Sequence, residues 1–447
     1  MRKAILATPP ASCGSPLSLR APTANRICSI VVLAMLAVAC APRDDGATVQ
    51  FWALGHEGEA VARLVPAFER SHPGVTVRVQ QIPWSAAHEK LLTAFVGDSM
   101  PDLFQLGTTW IPEFAMLGAL EPLDAYVAGS QTVAPDAYFA GVWDANEIDG
   151  TLVALPWYVD TRLLFYRSDL LARAGVATPP RTWAEWSAAM ERLKQSMGAD
   201  HHAIFVPLSE WEVPVVLALS QRAELLRDGD RYGNFESDAF RTAFAFYLDL
   251  FERGFAARAG AGATASVYRD FAEGWFCFYL SGPWNLGEFA TRLPPALTDA
   301  WATAPLPGPD AQRPGVSLAG GASLAIAKDS PRKQAAWQLV EWLADPARQV
   351  EFYRISGDLP PRRSAWQHPL LAGDARAQAF RTQLESVRAV PKVPEWERIA
   401  AKISRSTESV VRGEQTPDAA LAALDADVDA ILAKRRSLLP DAKPAAE

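Results

Sequence analysis

The sequence predicts an α/β protein of two lobes, each a mixed or parallel sheet flanked by helices, joined by a hinge that the chain crosses about three times. Three observations point there. Strand-like and helix-like segments alternate from residue 48 onward. Roughly 400 residues of the chain follow its leader-like start, more than one hydrophobic core usually holds. The stretch at 154–167, Ala-Leu-Pro-Trp-Tyr-Val-Asp-Thr-Arg-Leu-Leu-Phe-Tyr-Arg, sets a proline, two adjacent aromatics and Asp160 between two such runs. It is read as a crossing whose aromatic and acidic face lines the cleft between lobes. A core strand preceded by a turn is the competing reading.

Residues 1–39 stand apart from the fold. Their only charges, Arg2, Lys3, Arg20 and Arg26, precede an apolar run at 27–38. A bilayer-spanning helix needs about 17–25 apolar residues, so this run reads instead as the core of a secretory signal. Ala37-Val38-Ala39 directly before Cys40 resembles a bacterial lipobox, which implies cleavage before Cys40 and lipidation there. A plain signal peptide cut after Ala39 is the alternative. Loss of those four cations takes the formal charge from −8 to −12. Such acidity disfavours nucleic acid as a partner. Cys13 and Cys28 leave with the leader, and Cys277 alone remains inside the fold, so no intramolecular disulfide is expected.

The elements follow in order. Residues 40–47 form a short polar tether. Val49, Phe51 and Ala53 alternate as a first strand, and Val61, Leu64, Val65 and Phe68 mark one helical face, which Pro66 is expected to kink or shorten. Val75, Val77 and Val79 alternate as a second strand, a helix follows at 86–96, a third strand at 103–106, and a helix at 110–117. This βαβαβ order calls for parallel strands with right-handed crossovers. Beyond the crossing, an amphipathic helix covers 182–197, a strand 201–208, and a helix 239–253. Small residues make 259–262 a loose loop, and 276–280 is an apolar strand in which Cys277 is a buried small hydrophobe. The Pro- and Gly-rich 305–314 is a return crossing, 317–327 a strand, 334–343 a helix, and 356–361 a third crossing. Leu421, Leu424, Val428 and Ile431 share a helical face in 416–434, packing on the second lobe, and 441–447 frays. The lobes are thus expected at 48–156 with 306–355, and at 157–305 with 356–447.

No Gly-x-Gly-x-x-Gly follows the first strand and no Gly-x-x-x-x-Gly-Lys-Ser/Thr occurs, so no nucleotide or other cofactor is expected. Ligands of open α/β sheets bind at the carboxyl ends of strands. Here those ends carry His56 and Glu57, then Trp84, then Thr108, Thr109 and Trp110. His201-His202 lacks a surrounding His-Glu-x-x-His, so no metal site is expected, and no Gly-x-Ser-x-Gly elbow is present.

Several motifs in succession give a family resemblance. Val49-Gln-Phe-Trp-Ala, Leu64-Val-Pro-Ala-Phe-Glu, His72-Pro-Gly-Val-Thr-Val, Pro101-Asp-Leu-Phe and Leu117-Gly-Ala-Leu resemble the amino-terminal lobe of bacterial ABC-transporter sugar-binding lipoproteins, relatives of the maltose- and trehalose-binding proteins. Thr178-Pro-Pro-Arg-Thr-Trp-Ala-Glu-Trp, with Thr182 as N-cap, Gly282-Pro-Trp-Asn, and Leu318-Ala-Gly-Gly-Ala-Ser-Leu-Ala-Ile-Ala agree with later family segments. The similarity runs from about residue 48 to about 435. It implies a periplasmic-binding-protein-like fold and an exported, lipid-anchored monomeric receptor. Its partners would be a sugar ligand and the permease subunits of an ABC importer.

By resemblance, Asp160 faces the sugar, Trp284 and Trp396 stack on it, and Asn285 belongs to the same sugar-facing segment as Trp284. Gln105, Thr108 and Thr109 line up with the polar end of the third strand, while Glu210 and Trp211 fall where an acid or aromatic of the second lobe is placed. His56, Trp84 and Arg362 complete the candidate set. Core packing competes as a role for Trp84, Trp211, Trp284 and Trp396, and pairing with Arg162 competes for Asp160. The expected ligand is a disaccharide or short oligosaccharide, gluco-configured, and the chain is expected not to be an enzyme. An exported glycoside-hydrolase-like enzyme using cleft carboxyls is the alternative.

Overall fold

The computed structural model describes residues 47–198, 200–258 and 266–438. The leader, the lipobox with Cys40, most of the tether, and the stretches at 259–262 and 441–447 lie outside the described residues.

Strand β1 (Ala47–Leu54) buries Val49, Phe51 and Ala53 completely, as alternation requires, and Gly55 turns it into helix α1 (Glu57–Ser71). Pro66 neither ends nor shortens this helix. Pro66 and Ala62, whose carbonyl loses its usual donor, both lie on the exposed face, so the missing bond leaves no buried polar group. Strand β2 (Val75–Ile82), helix α2 (Trp84–Val96) and strand β3 (Leu103–Gly107) follow. A 3-10 turn, Thr108–Trp110, then leads into a short helix, Ile111–Met116, in place of the single helix expected.

Strands β4 (Leu155–Asp160) and β5 (Leu163–Arg167) belong to different sheets, so the chain crosses at Thr161 and Arg162. Helix α3 (Trp183–Met197) starts at Thr182, whose hydroxyl accepts from the Glu185 N–H at 3.2 Å. Strand β6 (His202–Phe205), helix α4 (Glu212–Ser220), helix α5 (Asp238–Glu252), strand β7 (Phe276–Ser281), helix α6 (Trp284–Arg292) and strand β8 (Trp301–Ala304) build the second body. Strand β9 (Gly320–Ile326) returns to the first sheet, followed by α7 (Lys333–Leu343) and α8 (Pro346–Ser356). The chain ends with α9 (Ala375–Leu384), α10 (Trp396–Val411) and α11 (Pro417–Ile431).

The first sheet runs β2-β1-β3-β9-β4, with β1 parallel to β2 and β3, and β9 antiparallel to β3 and β4. The second runs β8-β5-β7-β6, with β7 parallel only to β6. Both are mixed and flanked by helices. At Gly321, with φ of +131°, a Cβ would stand 2.2 Å from the Tyr158 carbonyl oxygen. Glycine is what lets β9 press against β4 beside a bulge.

Each sheet has its own core, one around Val49, Phe68, Leu103 and Leu324, the other around Trp186, Met190, Phe278 and Tyr247. A third apolar cluster, including Val159, Leu163, Phe165, Leu359 and Trp366, underlies the first crossing. The Val159 N–H donates to Leu359 at 2.9 Å, tying a second connection to the first. The return from β8 to β9 makes the third. Among the described residues no helix is long and apolar enough to cross a membrane.

Candidate functional site

A cavity of about 720 Å³ opens between the two sheets. That volume lies within the roughly 300–1,000 Å³ of small-ligand sites. The carboxyl ends of β1, β2 and β3 deliver His56, Glu57, Trp84, Thr108, Thr109 and Trp110 to one wall. The first crossing supplies Tyr158, Asp160 and Arg162, and the second lobe supplies Trp211, Glu212, Tyr268 and Trp284.

On the first wall the buried Glu57 opens α1, where the positive end of the helix favours its carboxylate. Its Oε1 accepts from the Tyr158 hydroxyl at 2.8 Å, and the Trp84 indole N–H stands 3.4 Å from each carboxylate oxygen. The Tyr158 hydroxyl accepts from Gln105 Nε2 at 3.1 Å, and Gln105 Oε1 accepts from the Leu54 N–H at 2.7 Å. Burial, then the neighbouring Glu57 and Asp358 carboxylates, push the Tyr158 phenol well above its ordinary pKa, so it remains a donor. Burial and then Glu57 likewise push the Asp358 carboxyl well above the usual carboxylate range. Trp84 and Trp110 meet near-perpendicularly with centroids 5.5 Å apart.

On the opposite wall Arg162 donates to Asp160 at 2.6 Å and to Glu212 at 2.9 Å. Its burial opposes the charge, but Asp160, Glu212 and Glu210 outweigh that and push its pKa up. Helix α6 shows how the sequence aims its residues. Trp284, Glu288 and Arg292, spaced by four, line the cavity, while Asn285, Leu286 and Phe289 are buried on the other face. Gly282 makes room for the indole, since a Cβ there would sit 1.8 Å from the Trp284 ring. Across the cavity the Thr109 hydroxyl donates to Glu397 Oε1 at 2.6 Å, and the Lys392 ammonium donates to Asp144 Oδ1 at 2.9 Å.

His56, Trp84, Thr108, Thr109, Asp160, Trp211 and Trp284 share this one cavity. Asp160 is both a cleft residue and the Arg162 partner. Five other expected residues do not line it. Trp396 is fully buried, because it shares the inward face of α10 with Ile399, Ala400 and Ile403. Asn285 lies on the buried face of α6 and donates to Ser281 Oγ at 2.6 Å. Gln105 is fully buried and acts as a strut through Tyr158. Arg362 donates to the Ala344 carbonyl at 2.9 Å and lies over Tyr138, away from the cleft. Glu210 stands beside Arg162; burial first, then Glu212 and Asp160, push its carboxyl up to about 7, against the pull of Arg162.

Sequence reasoning gave no contact role to Arg162, Glu212, Tyr268 or Asp358, and reached Glu57 and Tyr158 only through their segments, the first strand's carboxyl end and the aromatic face of the crossing. Glu57 had a usable signal, its place at the first strand's carboxyl end. Asp358 had none, for its neighbours His56 and Glu57 lie about 300 residues away in sequence. Flat indoles beside fixed carboxylates suit a neutral ligand that offers hydroxyl donors and apolar C–H faces.

Known proteins resemble this chain over most of its length. The family described as "Bacterial extracellular solute-binding protein" matches residues 52–350. The sugar-binding protein MalE of Xanthomonas citri superposes with a TM-score of 0.86 at 53% identity, covering 88% of this chain and 99% of that one. The diacetylchitobiose-binding protein DasA of Streptomyces coelicolor is 25% identical over 84% of this chain and 88% of its own length. The maltotriose-binding protein of Pyrococcus abyssi is 23% identical over 81% and 74%.

Proposed function

This chain belongs to the bacterial extracellular solute-binding protein family, and on that premise we propose that it captures a gluco-configured disaccharide or short oligosaccharide between its lobes and delivers it to the permease of an ABC importer. The observation that carries the reading is the gathering of Trp84, Trp211 and Trp284 with Glu57 and Asp160 around one cavity of about 720 Å³. The indoles stack on the sugar's C–H faces, and the carboxylates accept from its hydroxyls. A hydroxyl presented in the wrong direction leaves a polar partner unpaired at roughly 1–3 kcal/mol, enough to separate epimers. The sugar-binding, diacetylchitobiose-binding and maltotriose-binding names of the relatives support a saccharide ligand.

The lobes act as jaws: the first carries β1 to β4 and β9, the second β5 to β8 with the carboxyl-terminal helices. Sugar bound to both would favour the closed arrangement by its differential affinity. Cys40 carries the lipid that holds a monomeric receptor at the membrane. Fatty-acid labelling of the chain and of Cys40→Ala tests that anchor, and equal label in both would remove it.

The competing reading, an exported carbohydrate-active enzyme, needs two carboxyls flanking the scissile bond. Glu210, whose carboxyl is pushed up to about 7, is not among the cavity-lining residues. Incubation with disaccharides separates the two readings. A receptor returns the sugar intact and melts at a higher temperature in its presence, whereas released monosaccharide would establish the enzyme.

A further inference from the structure

We propose that His56, Glu57 and Asp358 form a binding site for a zinc-class divalent cation on the first-lobe wall of the cleft. One donor atom from each residue lies within 4.8 Å of the others. The His56 Nδ1 stands 3.5 Å from Glu57 Oε2, and its Nε2 stands 3.6 Å from Asp358 Oδ2. Two donors sharing a tetrahedral zinc ion, with bonds of about 2.0–2.1 Å, are about 3.3 Å apart. Only one imidazole nitrogen can hold the ion, so the ring must rotate to bring that nitrogen within this span of both carboxylates, and His56 is the member free to do so, its side chain being 57% exposed.

Charge points the same way. The Glu57 and Asp358 side chains are 4% and 8% exposed, yet among the described residues the only ion-pair partner of either is His56. A separate observation concerns Asp358 itself. Its Oδ2 is buried without a hydrogen-bond partner in a side chain that lines the cavity. A buried carboxyl oxygen left without a hydrogen-bond partner is costly, and a cation that takes the place of the carboxyl proton would meet it.

The supporting groups fit a metal ligand as well. Tyr158 donates to Glu57 Oε1 and is itself fixed by Gln105 and the Leu54 N–H. This chain orients the Glu57 carboxylate and leaves Oε2 on the His56 side. Donors of this kind, holding a ligating carboxylate in place, are the usual second layer of metal sites. One imidazole and two carboxylates suit zinc and its first-row neighbours better than calcium, which takes six to eight oxygens. The fourth position faces the cleft and stays open to water or a ligand hydroxyl.

The site does not depend on the sugar reading, so its test uses the metal alone. The full chain, freed of metal with a chelator, is titrated calorimetrically with zinc chloride, beside His56→Gln and Asp358→Asn in the same chain. Binding should weaken about tenfold or more in each variant. Cobalt(II) should give d–d absorption without thiolate charge transfer, and lose it in His56→Gln. Should Asp358→Asn melt prematurely, the exposed His56 decides the matter. Equal zinc affinity in wild type and His56→Gln would overturn the proposal and place any bound metal elsewhere.

Discussion

The guanidinium of Arg162 lies 4.6 Å over the Trp284 ring, and Asp160 and Glu212 hold it there from either side. The indole, 37% exposed, is therefore fixed in orientation without being sealed from the cleft. Trp284→Ala should weaken sugar binding about tenfold or more, roughly 1.4 kcal/mol, with little change in melting temperature. Calorimetry on the purified variant checks this, and an unchanged affinity would remove Trp284 from the site.

Trp211 and Trp396 meet edge-on at 5.2 Å, and only Trp211 faces the cavity. Trp396 is a core residue supporting it from behind. Trp396→Ala should therefore cost roughly 3–5 kcal/mol of stability. Urea unfolding reads that loss, and an unaltered midpoint would place the residue outside the core.

The contrast between these tryptophans shows what sequence could and could not tell. The first lobe was legible because alternation at Val49, Phe51 and Ala53, and the helical spacing of Val61, Leu64, Val65 and Phe68, are local patterns with a single inward face. The aromatic–acid stretch was legible in part: Tyr158 and Asp160 line the cavity, while Trp157 packs in the first core. Trp396 was misplaced although its spacing to Ile399, Ala400 and Ile403 marks an inward face, and Asn285 although its spacing to Phe289 does. In both, a motif resemblance outweighed helical phase. Gln105 looked like a contact because the family resemblance aligns it with the polar end of the third strand. Its partners, the Leu54 N–H and the Tyr158 hydroxyl, come from 51 and 53 residues away, and no local pattern encodes them.

Tyr158→Phe deletes the hydroxyl between Gln105 and Glu57 with almost no change of shape. It leaves the buried Gln105 amide without its acceptor, at a cost of roughly 1–3 kcal/mol. The variant should melt earlier and bind sugar more weakly, as the Glu57 carboxylate loses its fixed direction. Denaturant titration and calorimetry on the same preparation test both halves. Unchanged values in each would show that this relay carries nothing.

Glu210 gives a pH dependence with a defined sign. Its carboxyl is raised from 4.5 to about 7 in the fold, by burial first and then by Glu212 and Asp160, with Arg162 opposing. Below 4.5 the group is protonated folded and unfolded alike; as pH rises to about 7 the unfolded chain ionises first, so this group's contribution to stability is lost across that window. Melting of the wild type should fall relative to Glu210→Gln between those two values. Parallel melting curves across the window would refute the assignment.

The most direct test of the cleft as a sugar site is calorimetric titration of the purified chain with a panel of neutral disaccharides, maltose and trehalose among them. One saturable site per chain, for at least one gluco-configured member, is the expected result. Heat of binding for none of the panel, with the protein folded, would contradict it.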